Sequence, residues 1–129
     1  MTARPTLNGS KGKNLMDISA IEGEELKSVA FVEDFLELRF GTPLLTLYDW
    51  PYVMLPHFSV AYGEPEYRNG LCAQIGELVS SATLEEDNAL TIELANGVVL
   101  GLSLREEDKD GPESGLYSET GDEADAQEF

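Results

Sequence analysis

The sequence contains very few of the residues from which reactive or cross-linked sites are built. It has one cysteine, Cys72, and one histidine, His57, among 129 residues. One cysteine excludes an intramolecular disulfide, and two candidate ligands are too few for a structural zinc site, which needs three or four. The chain also lacks the Gly-x-Ser-x-Gly and Cys-x-x-Cys motifs of common catalytic and redox sites. The sequence therefore predicts a protein that is not an enzyme and that holds no cofactor or metal.

Positive charge is scarce as well. Eight Lys and Arg residues stand against 25 Asp and Glu residues, so the formal net charge is −17. Binding to nucleic acid or to an anionic membrane needs clustered basic side chains, so we expect neither partner. The chain has no apolar run of the roughly 20 residues that span a bilayer, and its N-terminus lacks the apolar stretch of a secretory signal. These features predict a cytoplasmic protein.

The charge is distributed unevenly along the chain. Residues 1–15 carry a net charge of +3, residues 16–105 carry −11, and residues 106–129 carry −9. Both ends lack apolar periodicity, which is typical of mobile segments. We therefore predict a disordered leader over 1–17, one β-rich domain over 18–107 and an acidic mobile tail over 108–129. Met16 is followed at once by patterned sequence, which leaves it open whether Met1 or Met16 is the natural start.

The body contains an internal repeat. Five residues recur at a constant offset of 53, and they are Gly23, Glu24, Ser28, Glu33 and Asp34, matched by Gly76, Glu77, Ser81, Glu86 and Asp87. Apolar residues alternate with polar ones in both copies, as in antiparallel strands with one buried face. The pattern predicts two duplicated three-strand meanders, with strands at about 26–32, 35–40 and 44–49, and at about 78–85, 89–95 and 98–105. Repeat 1 spans about 21–50 and repeat 2 about 76–106.

The linker and helix over 51–76 join the two copies. Pro51, Pro56 and Pro65 exclude a helix in its first part, where residues 52–55 and 57–61 fit short edge strands. Apolar residues at 67, 71, 72 and 75 follow helical spacing and predict one short helix. The predicted fold class is therefore β-rich α+β, in which the two meanders form a sandwich or a partly closed barrel with one short helix between them.

Three further features have a structural and a functional interpretation each. His57 and Cys72 are the only residues for a Cys-His or Ser-His-Asp site, but we interpret them as a loop histidine and a small residue on the buried side of the helix. The segment from Asp108 to Glu113 has some features of a calcium loop but lacks its third oxygen donor and its bidentate Glu. We therefore interpret it as solvated tail.

The aromatic segment Tyr48-Asp49-Trp50-Pro51-Tyr52, with Phe58 and Tyr62 downstream, is the most distinctive local feature. A large aromatic residue after a strand closes a core, but Trp and Tyr are also enriched at the energetic centres of interfaces. Both interpretations of Trp50 remain open from the sequence. If the segment is an interface, the candidate protein-binding residues are Asp49, Trp50, Glu64, Glu66 and Tyr67.

Several segments together carry a resemblance to a known group of proteins. These are Leu47-Tyr48-Asp49-Trp50-Pro51 after a Leu-rich strand, Ile75-Gly76-Glu77 before the second meander, and Ser103 to Asp108 followed by Gly111-Pro112-Glu113. The sequence resembles, over about residues 21–117, small bacterial proteins of unknown function, some of which are regarded as immunity proteins of polymorphic or contact-dependent toxin systems. The resemblance implies an inhibitor of a basic protein such as a toxin nuclease, and it brings no catalytic residues.

The sequence thus favours a non-catalytic acidic module that binds a basic protein, most specifically an inhibitor of the immunity type. The alternatives are a structural or oligomerising β-module, a DNA mimic that inhibits a nucleic-acid-binding protein, and a small enzyme or ligand carrier with a pocket between the meanders. Exposed edge strands invite sheet pairing, so the sequence leaves monomer and homodimer open.

Overall fold

Alternating apolar residues form short antiparallel strands along most of the chain. The computed structural model describes residues 15–129. In chain order the strands are β1 (Leu15–Met16), β2 (Ser28–Val32), β3 (Phe35–Arg39), β4 (Leu44–Leu47), β5 (Tyr52–Met54), β6 (Ser59–Val60), β7 (Val79–Glu85), β8 (Ala89–Leu94), β9 (Val99–Ser103), β10 (Gly115–Ser118) and β11 (Gln127–Glu128). One helix, α1 (Tyr67–Cys72), lies between β6 and β7, and short 3₁₀ turns cover Ser19–Ile21, Glu106–Asp108 and Glu123–Asp125.

The strands form two antiparallel sheets. Sheet one has six strands in the order β1-β7-β8-β9-β5-β6, and sheet two has five in the order β11-β10-β4-β3-β2. The predicted β-rich class with one short helix is confirmed. Neither sheet closes on itself, so the barrel alternative is wrong and a two-sheet architecture remains.

Each predicted meander is present, and the two occupy different sheets. Strands β2, β3 and β4 are consecutive neighbours in sheet two, and β7, β8 and β9 are consecutive neighbours in sheet one. The polar breaks are turns, as expected. Gly97 has φ +92°, which a residue with a Cβ rarely adopts, and the Asn96 side chain accepts a hydrogen bond from the backbone N–H of Val98. The origin of the two meanders by duplication stays a prediction.

One hydrophobic core draws side chains from both sheets. The alternating positions expected to face inward are buried, namely Leu36, Leu38 and Phe40 in the first meander and Leu90, Ile92 and Leu94 in the second. Burying one such side chain contributes roughly 1.5–3 kcal/mol to the hydrophobic driving force of folding. This shared core holds the two sheets together.

The segment predicted as a mobile acidic tail is built into sheet two. Strand β10 pairs with β4 on one side and with β11 on the other, and Phe129 is part of the core. The prediction is wrong here because β10 is only four residues long, and its partner β4 is far away in the sequence. Such a strand leaves no local periodicity to detect.

The fold also begins before residue 18. Leu15 and Met16 pair with Glu85 and Leu84 of β7, and Ile18 is buried in the core. Residues 15–17 therefore do not belong to a leader. The rest of the predicted leader, residues 1–14, lies outside the described residues.

The helix is shorter than its apolar spacing predicts, and its buried face is different. It ends at Cys72, and the buried positions on and just after it are Tyr67, Leu71 and Gln74. Cys72 is exposed, so its predicted place on the buried side is wrong. The spacing 67, 71 and 74 marks one helix face, and Cys72 lies beside that face. His57 lies exposed in the turn between β5 and β6, as predicted.

Candidate functional site

The chain crosses between the sheets three times within residues 15–129, and two of these crossings lie side by side. Residues 48–51 lead from β4 of sheet two to β5 of sheet one, and residues 104–114 lead from β9 back to β10. The Ser114 carbonyl oxygen accepts hydrogen bonds from the backbone N–H groups of Tyr48, at 2.8 Å, and Asp49, at 3.4 Å. These bonds join the outgoing and the returning crossing.

A cleft of about 430 Å³ opens between these crossings. Ligand sites usually have volumes of about 300–1,000 Å³ and combine apolar walls with a few polar groups. The lining residues are three aspartates (Asp49, Asp108 and Asp110), three aromatic residues (Trp50, Tyr52 and Tyr62), and Ala61, Leu102 and Ser103. We call this the aspartate cleft. It combines negative charge with aromatic surface.

An aromatic stack forms one wall of the aspartate cleft. The Trp50 ring lies 4.1 Å from the Tyr62 ring, centroid to centroid, with 15° between their planes, and it lies 6.1 Å from the Phe31 ring at 10°. Phe31 belongs to β2 of sheet two, whereas Tyr62 follows β6 of sheet one, so the stack bridges the sheets. The Arg68 guanidinium lies 4.9 Å from the centre of the Phe31 ring. Tyr62 is 49 % exposed, so part of its ring is open to a ligand.

Tyr67 supports this stack from inside the protein. Its ring meets the Tyr62 ring edge-on at 5.8 Å, and its hydroxyl donates a hydrogen bond of 2.6 Å to the Pro51 carbonyl. Burial raises the pKa of Tyr67 well above its usual value. Tyr67 is only 1 % exposed, so its prediction as a binding contact is wrong. It positions Tyr62 and the crossing at Pro51 instead.

Asp49 is the most unusual residue of the cleft. The residue is 7 % exposed, and its Oδ2 atom is buried without a hydrogen-bond partner among residues 15–129. Ion pairs within residues 15–129 join Lys27 to Glu25 and Arg105 to Glu107, and neither involves Asp49. Burying a carboxylate without a partner costs free energy because the charge loses its hydration without replacement. Asp49 therefore lines an open cleft, while its Oδ2 atom is closed off from both water and other donors.

The other two aspartates lie on the returning crossing. Asp108 and Asp110 are exposed, and the Ser103 hydroxyl donates a hydrogen bond of 2.6 Å to the Asp108 carboxylate. This bond fixes Asp108 at the end of β9. The segment from Asp108 to Glu113 thus connects two strands of the fold and contributes to the cleft, so its interpretation as solvated tail is wrong.

The five predicted binding residues separate into three groups. Asp49 and Trp50 line the aspartate cleft. Glu64 lies in a neighbouring groove, where its carboxylate accepts a hydrogen bond of 2.6 Å from the Ala61 N–H, and Glu66 is exposed just before α1. Tyr67 is buried, as described above. Asp108 and Asp110 are missing from the predicted set because no local pattern shows that residues 104–114 return beside Asp49.

A second acidic pocket of about 230 Å³ lies near β10 and β11. It is lined by Tyr117 together with Asp17, Glu119 and Asp125, and the Tyr117 hydroxyl is buried without a hydrogen-bond partner in the described part of the chain. Burial, and then the negative charges of Glu119 and Asp17, raise the pKa of Tyr117 to about 12. This phenol therefore stays neutral to a higher pH than that of an exposed tyrosine.

Comparison of the chain with protein-family models, with curated proteins and with solved structures returns no match. Among residues 15–129, no helix has the length and apolar character needed to cross a membrane. Within the same range, no three His, Cys, Asp or Glu side chains form a group that could hold a metal ion.

Proposed function

We propose that the chain is a non-catalytic acidic module that binds a basic protein through the aspartate cleft. The observation that carries this proposal is the Asp49 carboxylate oxygen, buried without a partner beside the aromatic stack. Because the Oδ2 atom is closed off in the free protein, a cationic side chain that enters the cleft must move part of its wall to supply the missing partner. The pairing then offsets part of the free energy lost by burying Asp49 in the free protein.

The aromatic residues of the cleft and the net charge of the chain support the same function. Aromatic residues in desolvated pockets contribute most of the affinity of many interfaces, and Trp50, Tyr52 and Tyr62 line this cleft. The net charge of −17 raises the rate of encounter with a basic partner and disfavours acidic ones. The specific form of the proposal is an inhibitor of the immunity type, as the sequence resemblance implies, with a basic toxin such as a nuclease as its partner.

Trp50 provides a direct test because it is the only tryptophan in the sequence and lies in the cleft. We expect the peptide heptalysine to change Trp50 fluorescence in a saturable way. The affinity should fall as salt rises, since the interaction is between opposite charges. The substitution Asp49→Asn should weaken binding more than Asp87→Asn, which removes the same charge from an exposed hairpin turn.

Asp87→Asn is a suitable control because Asp87 has φ +65°, and asparagine tolerates this backbone conformation. Equal weakening by both substitutions would show that heptalysine binds only to the overall negative charge. Heptalysine binding that leaves Trp50 fluorescence unchanged would place the interaction outside the cleft. Either result would contradict the proposed function.

A DNA mimic is a second candidate, because acidic side chains of residues 119–125 are held between two strands of sheet two. The Asp122 carboxylate accepts a hydrogen bond of 2.9 Å from the Ala124 N–H, and the Thr120 hydroxyl donates one of 2.9 Å to Asp125. Fixed acids of this kind can imitate phosphates, whereas a mobile tail cannot. A mimic should compete with DNA for a DNA-binding enzyme, and Asp49→Asn should leave that competition unchanged.

An oligomerising β-module is a third candidate, supported by the edge strand β2. This strand spans Ser28–Val32, and among the strands of residues 15–129 it pairs with β3 alone. Its Val-Ala-Phe-Val sequence has a high preference for strands, and such an edge can add a strand from a second copy. Light scattering after size-exclusion chromatography distinguishes monomer from dimer, and Val29→Pro, which removes an N–H that points away from β3, should abolish a dimer formed through this edge.

A further inference from the structure

A ligand of the aspartate cleft must complement two different surfaces, a carboxylate and an aromatic ring. The Oδ2 atom of Asp49 lacks a hydrogen-bond donor, and a donor with positive charge satisfies it best once the wall of the cleft moves to admit it. The exposed part of the Tyr62 ring requires a flat or apolar surface. Asp108 and Asp110 at the same cleft add negative charge, which excludes an anionic ligand.

A guanidinium group complements both the Asp49 carboxylate and the Tyr62 ring. It is planar, it stacks on aromatic rings, and it donates several hydrogen bonds in a fixed geometry. It is also more weakly hydrated than an ammonium group, so it loses less on leaving water. We propose, on the basis of the proposed function, that the cleft receives one arginine side chain of the basic partner, with its guanidinium on the Tyr62 ring and its N–H groups on Asp49.

The aromatic stack already binds a guanidinium elsewhere. Arg68 lies over the Phe31 ring at 4.9 Å, within the distance of about 6 Å at which a cation and a ring attract each other. Phe31, Trp50 and Tyr62 belong to the same stack, with nearly parallel rings. Tyr62 offers a similar aromatic surface in the cleft, with a carboxylate beside it.

The experiment compares three blocked tripeptides that differ only in the central residue: acetyl-Gly-Arg-Gly-amide, its lysine analogue and its citrulline analogue. Citrulline has nearly the shape of arginine but no charge. Binding is followed by Trp50 fluorescence and by the NMR signal of the Trp50 indole. We expect the arginine peptide to bind about tenfold more tightly than the lysine peptide, the effect of about 1.4 kcal/mol of stacking and bidentate pairing. We expect no binding of the citrulline peptide.

Three variants locate the binding site. Asp49→Asn and Tyr62→Leu should each reduce the preference for arginine to less than about threefold, a residual difference of roughly 0.6 kcal/mol. Asp87→Asn should leave the preference unchanged. Circular dichroism and thermal unfolding show whether each variant is folded. Tyr62→Leu keeps the test decisive if Asp49→Asn fails to fold.

The outcomes separate this inference from the proposed function. Equal affinities for the arginine and lysine peptides overturn the arginine receptor and leave the acidic binding module standing. The same conclusion follows if the arginine peptide does not bind while heptalysine still does, or if Asp49→Asn keeps the preference for arginine. Failure of heptalysine and of all three tripeptides to affect Trp50 overturns both.

Discussion

Replacing Phe129 with alanine tests whether the acidic C-terminal segment is part of the fold. Phe129 is 6 % exposed and packs against Gly115, where any Cβ would collide with the Phe129 ring and with the Thr46 carbonyl oxygen. An aromatic side chain buries at least about 150 Å², which at about 25 cal/mol per Å² corresponds to roughly 4 kcal/mol. Alanine keeps part of this, so we expect a loss of about 3–4 kcal/mol, in the range measured for buried Phe→Ala substitutions.

The assay is urea unfolding followed by Trp50 fluorescence, with thermal unfolding as a second measurement. For a chain of this size, the expected loss lowers the midpoint temperature by about 10–15 °C. Phe58→Ala is the matched control because Phe58 is 58 % exposed in the turn between β5 and β6, and it should change stability by less than about 0.5 kcal/mol. Equally small effects of both substitutions would refute the packing of Phe129 and restore the mobile tail.

Three further predictions concern a close backbone contact, the unpaired charge and the buried phenol. Gly115→Ala should destabilise the fold by about 1–3 kcal/mol in urea unfolding, because the new Cβ meets a backbone oxygen that cannot move aside. The control is Gly111→Ala, whose Cβ meets no neighbouring atom and should have no measurable effect. Asp49→Asn should raise the unfolding free energy by about 1–2 kcal/mol in urea while it weakens peptide binding, because a neutral amide costs less to bury than a carboxylate without a partner; a destabilised variant would mean that this carboxylate has a partner. The pKa of Tyr117 is raised from 10 to about 12 in the folded protein, so its contribution to stability is present below pH 10 and is lost as pH rises through 12, because the unfolded chain ionises first. Urea unfolding between pH 9 and pH 12 should show this decline, and Tyr117→Phe should make it shallower.

The two meanders are predictable because their strands pair with immediate neighbours in the chain. The alternation of apolar and polar residues around Leu36 and Leu90 predicts the strands of the two meanders. The Asn96-Gly97 turn predicts where one pair of these strands is joined. Strand β10 is different because its pairing with β4 depends on the rest of the fold being in place. Its acidic surroundings then suggest disorder, although Tyr117 and Phe129 are sufficient to anchor it.

The candidate site was predictable to the same extent. Asp49 and Trp50 belong to a distinctive aromatic segment, and the structure places both in the aspartate cleft. Asp108 and Asp110 join them only because the chain returns beside Asp49, which no local pattern encodes. The prediction fails for Tyr67, whose side chain faces the core. A helix of six residues offers too few positions to identify its buried face from the sequence.

The returning crossing has a consequence for how the protein is made. Leu47 and Gly115 are neighbours in sheet two, although the whole second meander lies between them in the chain. During synthesis, the first meander leaves the ribosome early. Its strand β4 stays unpaired on one side until β10 has been translated. Pairs this distant in sequence form slowly because a long loop must close first. The aspartate cleft should therefore be among the last features of the fold to form, and a chain truncated before residue 114 should lack it.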